Sequence, residues 1–355
     1  MRTIVVDKIA SVAEGKDLSR EVRVSAEIPA EEGILVAARV LNSKTRYNSL
    51  ELTSGRMAQV KHGDIIVGAL GHRRALFGYS GHLPSTVAVG DVLQLLNLGG
   101  VIGICDSINA AHGAPFDCVI LGAVLEFPYL GERIGVPARV GQFKRAASPR
   151  LTSHGIPVVA LAGTCMDSGK TAAACAIVSR LYHNGITVDA FKATGVALRR
   201  DILAMEDAGA RNTLIFSDLG VVATTEKNAA ALTRQLLSTL AAQGPDAIVF
   251  ELGDGLLGAY GVEAILADNE LRNAFTAVVL CANDPVAAHG GVQILRDQFG
   301  IEPAAVTGPA TDNQVGIDII TQRMQVPAFN ALTHGVELAD HLQGVLGLSP
   351  KRAVS

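Results

Sequence analysis

The stretch Val158 to Thr171, VVALAGTCMDSGKT, joins a short apolar run to an alanine-rich segment through a loop with glycine at each end. A strand that feeds a helix in this way aims a row of backbone N–H groups, and the positive end of the helix dipole, at one point that suits phosphate oxygens. Gly163, Thr164, Asp167, Ser168 and Gly169 form the expected cradle. Lys170 would reach the β- and γ-phosphates, and Thr171 would place its hydroxyl on Mg2+. The spacing departs from G-x-x-x-x-G-K-[ST] in one respect. Thr164 stands where the first glycine is due and Gly163 lies one position earlier, so the loop is longer by one residue. Cys165 and Met166 at its crest read as conformational filler. The chemistry expected of the stretch is the binding of a nucleoside triphosphate.

A second acidic signal follows a buried run. Ala247 to Phe250 leads into Glu251-Leu252-Gly253-Asp254-Gly255, a carboxylate at a strand end followed by a glycine-rich loop. A hard divalent cation takes oxygen ligands next to the phosphates, which makes Glu251 the first candidate for holding Mg2+ or its water shell. Asp254 is a weaker candidate, since Gly-Asp-Gly is also an ordinary turn. Thr187 to Ala190 leads in the same way into Phe191-Lys192, with Arg199, Arg200 and Asp201 further on.

The loop GTCMDSGKT, with five residues between Gly163 and Gly169, resembles that of the dethiobiotin synthetase-like branch of the SIMIBI class of P-loop NTPases. Phe191-Lys192, Asp201 and Glu251-Leu252-Gly253 are similar to that branch's aromatic-lysine pair, metal-binding aspartate and Glu-Gly segment, in the same order. The resemblance covers 156 to about 330. It implies that Lys192 contacts substrate or the transferred phosphate and that Asp201 helps Thr171 and Glu251 hold Mg2+. It also implies that Asn283, in Leu280-Cys281-Ala282-Asn283-Asp284-Pro285, contacts the base, with Asn330 a further candidate. A guanine-specific Asn-Lys-x-Asp is missing there, which favours ATP. Phe216-Ser217-Asp218 is faintly similar to a Ser-Asp step in the D-amino-acid N-acyltransferase-like family, although Asp218 would also serve as a helix cap.

These residues need a scaffold. From Ile156 onward, continuous Val/Ile/Ala runs alternate with helical segments, which predicts an α/β domain with a parallel sheet covered by helices on both faces. Ligands of such sheets bind beyond the carboxyl ends of the strands. Residues 1–130 carry short apolar runs between closely spaced glycine turns, two of them Gly-Asp steps at Gly63-Asp64 and Gly90-Asp91. That pattern predicts a mostly-β domain, a barrel or sandwich, in which each Asp bonds its local backbone. Residues 131–155, with Arg133, Arg139, Lys144, Arg145 and Arg150 among prolines and glycines, read as a basic linker, and 156–355 as the P-loop domain.

At 355 residues the chain suits two domains. Its net charge of -4 argues against nucleic acid as a main partner. No apolar run reaches the length of a membrane span and the N-terminus lacks a signal-peptide core, so a soluble, cytoplasmic protein is expected. Cys105, Cys118, Cys165, Cys175 and Cys281 contain no C-x-x-C pair and read as reduced and mostly buried, and the nine histidines offer no metal pair. The expected function is a Mg-ATP-dependent enzyme of ligase or kinase type, with Lys170, Lys192 and Glu251 as its catalytic residues. Its partner would be a small anionic molecule, in a cleft between Lys192 and the linker around Lys144 and Arg145, and a homodimer is one assembly the chain allows. Two alternatives stand beside it: a regulatory or metallochaperone-type NTPase, and an acyltransferase whose loop binds a phosphate-bearing acyl carrier.

Overall fold

The computed structural model describes residues 1–129, 134–146 and 149–351. Arg133, within the expected linker, lies outside the described residues. The chain divides into two compact units. The first comprises Met1–Arg145, Val196–Arg200 and Phe216–Ala223; the second comprises Ala146–Gly195, Asp201–Ile215 and Thr224–Ser355.

The first unit is built on five strands: β1 (Leu35–Val40), β2 (Ile65–Leu70), β3 (Val92–Leu95), β4 (Val101–Ile108) and β5 (Phe116–Glu126). Their pairings run β5 to β1, β1 to β2, β2 to β4, β4 to β3 and β3 back to β5, so the ring closes into a barrel. Of these five ring pairings, β2 with β4 is parallel and the others are antiparallel. Closure removes the exposed edge of these strands, and it encloses Ile66, Leu70, Leu93, Ile102, Phe116 and Ile120, all of them buried. The two Gly-Asp turns are built alike. Asp64 Oδ2 accepts from Lys61 N at 2.7 Å and Asp91 Oδ2 from Ala88 N at 2.8 Å. Each turn then exchanges backbone bonds with one residue of the neighbouring strand, Gly63 and Asp64 with Val40, and Gly90 and Asp91 with Ile120.

Part of the segment read as linker is ordered into this unit. Val136–Pro137 pairs antiparallel with Leu125 and Glu126, and Leu35 N donates to Ala138 O. Two chain excursions beyond residue 145 are also held here. Asn97 Nδ2 donates to Ala197 O at 2.8 Å, and the fully buried Glu51 carboxylate accepts from Arg199 N at 2.8 Å. Arg199 pairs with Asp218 at 2.7 Å, and Glu32 Oε1 accepts from the amides of Val222 and Ala223.

The second unit contains, among the described residues, six parallel strands: β6 (Val158–Gly163), β7 (Val188–Lys192), β8 (Thr213–Ile215), β9 (Ala247–Glu251), β10 (Ala277–Cys281) and β11 (Ala305–Thr307). Their order is β8-β7-β9-β6-β10-β11. The longer helices that alternate with these strands or follow them are α1 (Lys170–His183), α2 (Arg200–Asp207), α3 (Ala229–Ala241), α4 (Pro285–Phe299), α5 (Gln314–Met324) and α6 (Gly335–Val345), and two short helices, Val262–Ala267 and Asn269–Ala274, lie between β9 and β10. Every residue of β6, β7, β9 and β10 is buried, as a sheet covered on both faces requires. Ala173, Ala174, Ile177, Val178 and Leu181 recur at helical spacing on α1 and pack with Leu338 and Leu342 of α6 against Val159, Leu161, Val249 and Val279. The opposite face carries Phe191 and Phe250, whose rings stack with centroids 4.6 Å apart and an interplanar angle of 2°. No helix among the described residues is long and apolar enough to cross a membrane.

The stacked pair sits one residue before both Lys192 and Glu251, so it anchors the strand ends that carry the site. Phe250→Ala should cost about 3–5 kcal/mol in the unfolding of this unit, while Phe250→Leu should cost far less. Denaturant titration of both variants checks this. Equal midpoints for Phe250→Ala and the parent chain would show that the stack does not hold the strand ends.

Candidate functional site

The phosphate loop leaves β6 at Gly163 and enters α1 through Gly169, whose φ of 90° puts it in the left-handed region. Asp167, exposed at the crest, also takes a positive φ, 56°, a conformation that Asp tolerates better than most side chains. Lys170 folds back along the loop and is buried. Its Nζ donates to Asp254 O at 2.7 Å and Cys165 O at 2.9 Å, with Ser168 Oγ at 3.4 Å. A Cβ at Gly163 would lie 2.6 Å from that Nζ, so glycine keeps open the path of the lysine. The loop is crowded from a second direction as well. A Cβ on Gly308, after β11, would lie 2.2 Å from Ser168 O, where φ is already +94°.

Register determines what faces the loop. Glu251 of β9 pairs with Leu161 of β6 on one side and with Lys192 of β7 on the other, so its carboxyl emerges between the phosphate loop and the lysine. Thr171 Oγ1, on the first turn of α1, donates to Glu251 Oε2 at 2.9 Å and lies 3.4 Å from Asp201 Oδ1. Asp201, in the first turn of α2, accepts from Lys192 Nζ through its other oxygen. Both carboxylates and both lysines are buried. Burial pushes the Glu251 carboxyl above the usual carboxylate range and the Asp201 charge adds to this, while Lys192, Lys170 and the Thr171 hydroxyl act in the opposite direction.

The formal charges of Lys170, Lys192, Asp201 and Glu251 cancel. A hydroxyl and two neighbouring carboxylates make an all-oxygen donor set of the kind a hard divalent cation takes, and a dication there would leave the cluster positive, as a polyphosphate requires. The residues present therefore fit Mg2+.

Of the residues expected from the sequence, Gly163, Ser168, Gly169, Lys170, Thr171, Lys192, Asp201 and Glu251 come together. Thr164 and Asn283 meet at the rim, where Thr164 Oγ1 donates to the Asn283 side chain at 3.3 Å, and Asn283 is exposed. Asp284 accepts from the amides of Val286 and Ala287 and is thereby occupied with capping α4. Asn330 is buried with its whole amide engaged. It donates to Thr311 O and Asp312 Oδ1 and accepts from Leu332 N and Thr333 N, so it braces the Gly308 loop rather than facing a base. Asp218 lies in the first unit, where it forms an ion pair with Arg199. One contributor escapes sequence reasoning, the Asp254 carbonyl, because a backbone atom has no residue signature; Gly308 stands in the polar loop from Thr307 to Asn313, which the sequence offers as a candidate and equally as a plain surface turn. All five cysteines are free, and burial pushes Cys175 to about 11 and Cys281 to about 12, far from thiolate reactivity at neutral pH.

Three solved structures similar to this chain share 14–15% sequence identity with it. One is the signal recognition particle receptor FtsY from Elizabethkingia anophelis, at 15% identity, with 55% of this chain and 68% of that one covered and a TM-score of 0.39. Another is a DUF1611 family protein from Anabaena variabilis, at 15%, covering 57% and 62%, with a TM-score of 0.39. A third is the hydrogenase maturation factor HypB from Archaeoglobus fulgidus, at 14%, covering 54% and 91%, with a TM-score of 0.36. No protein-family model and no curated protein matches the chain. Likeness at this level carries no functional argument, and the chemistry of the site rests on its own atoms. The second unit thus has the α/β architecture expected from the sequence, a parallel sheet with a glycine-bounded loop at the end of β6 and acids at neighbouring strand ends.

The path kept open for Lys170 leads to a specific expectation. Gly163→Ala should leave the thermal unfolding midpoint within a few degrees of the parent but weaken nucleotide binding by about tenfold or more, since the added methyl displaces the ammonium. Calorimetric titration with nucleotide checks it, and unchanged affinity would mean that the position of Lys170 does not matter.

Proposed function

We propose that the chain is a Mg-ATP-dependent phosphoryl-transfer enzyme that acts on a small anionic molecule, with the dethiobiotin synthetase-like branch as its nearest functional analogue. The observation that carries this reading is the meeting of Thr171, Asp201 and Glu251 around one point, with Lys170 and Lys192 on either side. Phosphoryl transfer asks a protein chiefly for positioning and for charge to offset that of the moving group, and these five side chains supply both.

In this reading the loop amides from Thr164 to Thr171 bind the phosphates. Lys170 exchanges its contacts with the Asp254 and Cys165 carbonyls for phosphate oxygens. Thr171, Asp201 and Glu251 would hold Mg2+, which supplies charge neutralisation between the phosphates when bound. Lys192, steered by Asp201, offsets charge on the transferred group or the acceptor. Two observations support adenine over guanine: Asp284 is spent on the N-terminus of α4, and Asn283 is the exposed amide at the rim. An uncharged acceptor would gain nothing from the charge of Lys192, which is why an anionic acceptor is favoured.

Phosphate release from ATP across a panel of small carboxylic acids tests the reading. Turnover should require Mg2+ and disappear with EDTA. Lys170→Ala should lower it by about a hundredfold or more, and Glu251→Gln should keep ATP affinity within about threefold while slowing turnover about a hundredfold. A Glu251→Gln chain as fast as the parent, with the same Mg2+ dependence, would reduce Glu251 to a structural acid. A chain that releases phosphate only in response to a protein would remove the small-molecule enzyme reading.

A further inference from the structure

The first unit holds a second group of chemistry-bearing side chains, which shares no residue with the phosphate loop. Lys44 lies in the connection between β1 and β2, and its Nζ donates to the hydroxyl of Tyr79. The ammonium also lies 5.0 Å from the Tyr79 ring centroid, 5.4 Å from that of Phe116 and 5.9 Å from that of Tyr47. Arg73 approaches the same Tyr47 ring, with Cζ 5.8 Å from its centroid, and Nη1 donates to the Tyr47 hydroxyl at 3.0 Å and to Leu96 O. Arg73 is 3% exposed, and its buried Nε has no hydrogen-bond partner among the described residues.

Charge is what makes this cluster unusual. Among the described residues neither Lys44 nor Arg73 is paired with a carboxylate. Ring faces offset part of a buried positive charge, whereas an anion offsets it directly. Burial holds the Lys44 ammonium below the usual lysine range, with the nearby Cys105 acting against it, as expected where a cation lacks a counterion. Tyr47 adds backbone strain, since its φ of 50° is one that an aromatic residue seldom takes and that accumulates at ligand sites. The rim is apolar. His112 stacks on Tyr47 at 4.6 Å, Phe77 stands edge-on to His112 at 5.6 Å and is 46% exposed, and Ile108, beside Tyr79 in register, is 50% exposed.

We propose that this cluster binds a small amphiphilic anion, a carboxylate carried on an aromatic or apolar body. The carboxylate takes the place of the missing counterion at Lys44, in the positive field of Arg73, and the body lies against Phe77 and His112. The assignment is independent of the phosphate loop and of the reaction proposed for it.

Calorimetric titration of the full chain with three probes tests this: phenylacetate, acetate as the head without the body, and phenethylamine as the body with the opposite charge. Phenylacetate should saturate one site with a Kd at or below about 1 mM, acetate should bind at least about tenfold more weakly, and phenethylamine should give no saturable heat. Lys44→Met keeps the apolar stem of the lysine, and with an unchanged unfolding midpoint it should weaken phenylacetate by about tenfold or more. Phe77→Ser, at an exposed position, should weaken phenylacetate and leave acetate unchanged. Binding of phenylacetate should survive Lys170→Ala, which separates it from anions held in the phosphate loop. No saturable binding of phenylacetate, equal binding of phenethylamine, or full affinity in both Lys44→Met and Phe77→Ser would overturn the proposal, as would loss of binding in Lys170→Ala.

Discussion

The second unit turns on one electrostatic constraint: Asp201 and Glu251 place like charges side by side in a buried setting. Burial holds the Glu251 carboxyl above the usual carboxylate range, and the charge of Asp201 beside it adds to this. Lys192 answers one carboxylate and the Thr171 hydroxyl answers the other, while Lys170 stands within reach of the same field. Such an arrangement is costly as a purely structural device, because apolar side chains would fill the same space without desolvating four charges. Its cost is understandable where a dication and a polyphosphate complete the charge balance.

The remainder of the unit serves to keep that cluster in place. Glu251 can stand between the loop and Lys192 only because β9 runs between β6 and β7, and the stacked Phe191 and Phe250 lock those strand ends one residue earlier. Thr171 owes its place to the left-handed turn at Gly169 that starts α1, and Asp201 owes its place to the first turn of α2. From the far side of the loop, the bonds of Asn330 brace the Gly308 turn against Ser168. The phosphate side of the site is thus braced from two directions. Its exposed atoms, at Asp167 and Asn283, lie at the crest and the rim.

Much of this could be read in the sequence because local rules and the global fold agree. The glycine-bounded loop, the run of small residues after Lys170 and the buried strands ending in Lys192 and Glu251 each point to the same crevice. The repeated Gly63-Asp64 and Gly90-Asp91 steps likewise announced turns in which the Asp bonds nearby backbone, which the structure contains. What the sequence hid is of a different kind. Ring closure in the barrel depends on pairings between strands distant in sequence, such as β3 with β5, which no local pattern encodes. Val136, Ala138 and Val140 alternate with period two, a strand signal masked by the surrounding basic residues and by Pro137. Asn330 has the side chain of a base reader, and only its four hydrogen bonds reveal a brace. The cationic cluster at Lys44 and Arg73 draws its members from three separate stretches of chain, 44–47, 73–79 and 108–116, so composition and spacing gave no hint of it.

The central claim is that the cluster of two acids and two lysines is completed by a metal-bound nucleotide. Calorimetric titration of the full chain with a non-hydrolysable ATP analogue, in the presence and absence of Mg2+, addresses it most directly. The account predicts one site per chain whose affinity rises by about tenfold or more with Mg2+, and a matching loss of that gain in Asp201→Asn. Binding that is indifferent to Mg2+, or a gain from Mg2+ that persists in Asp201→Asn, would contradict it.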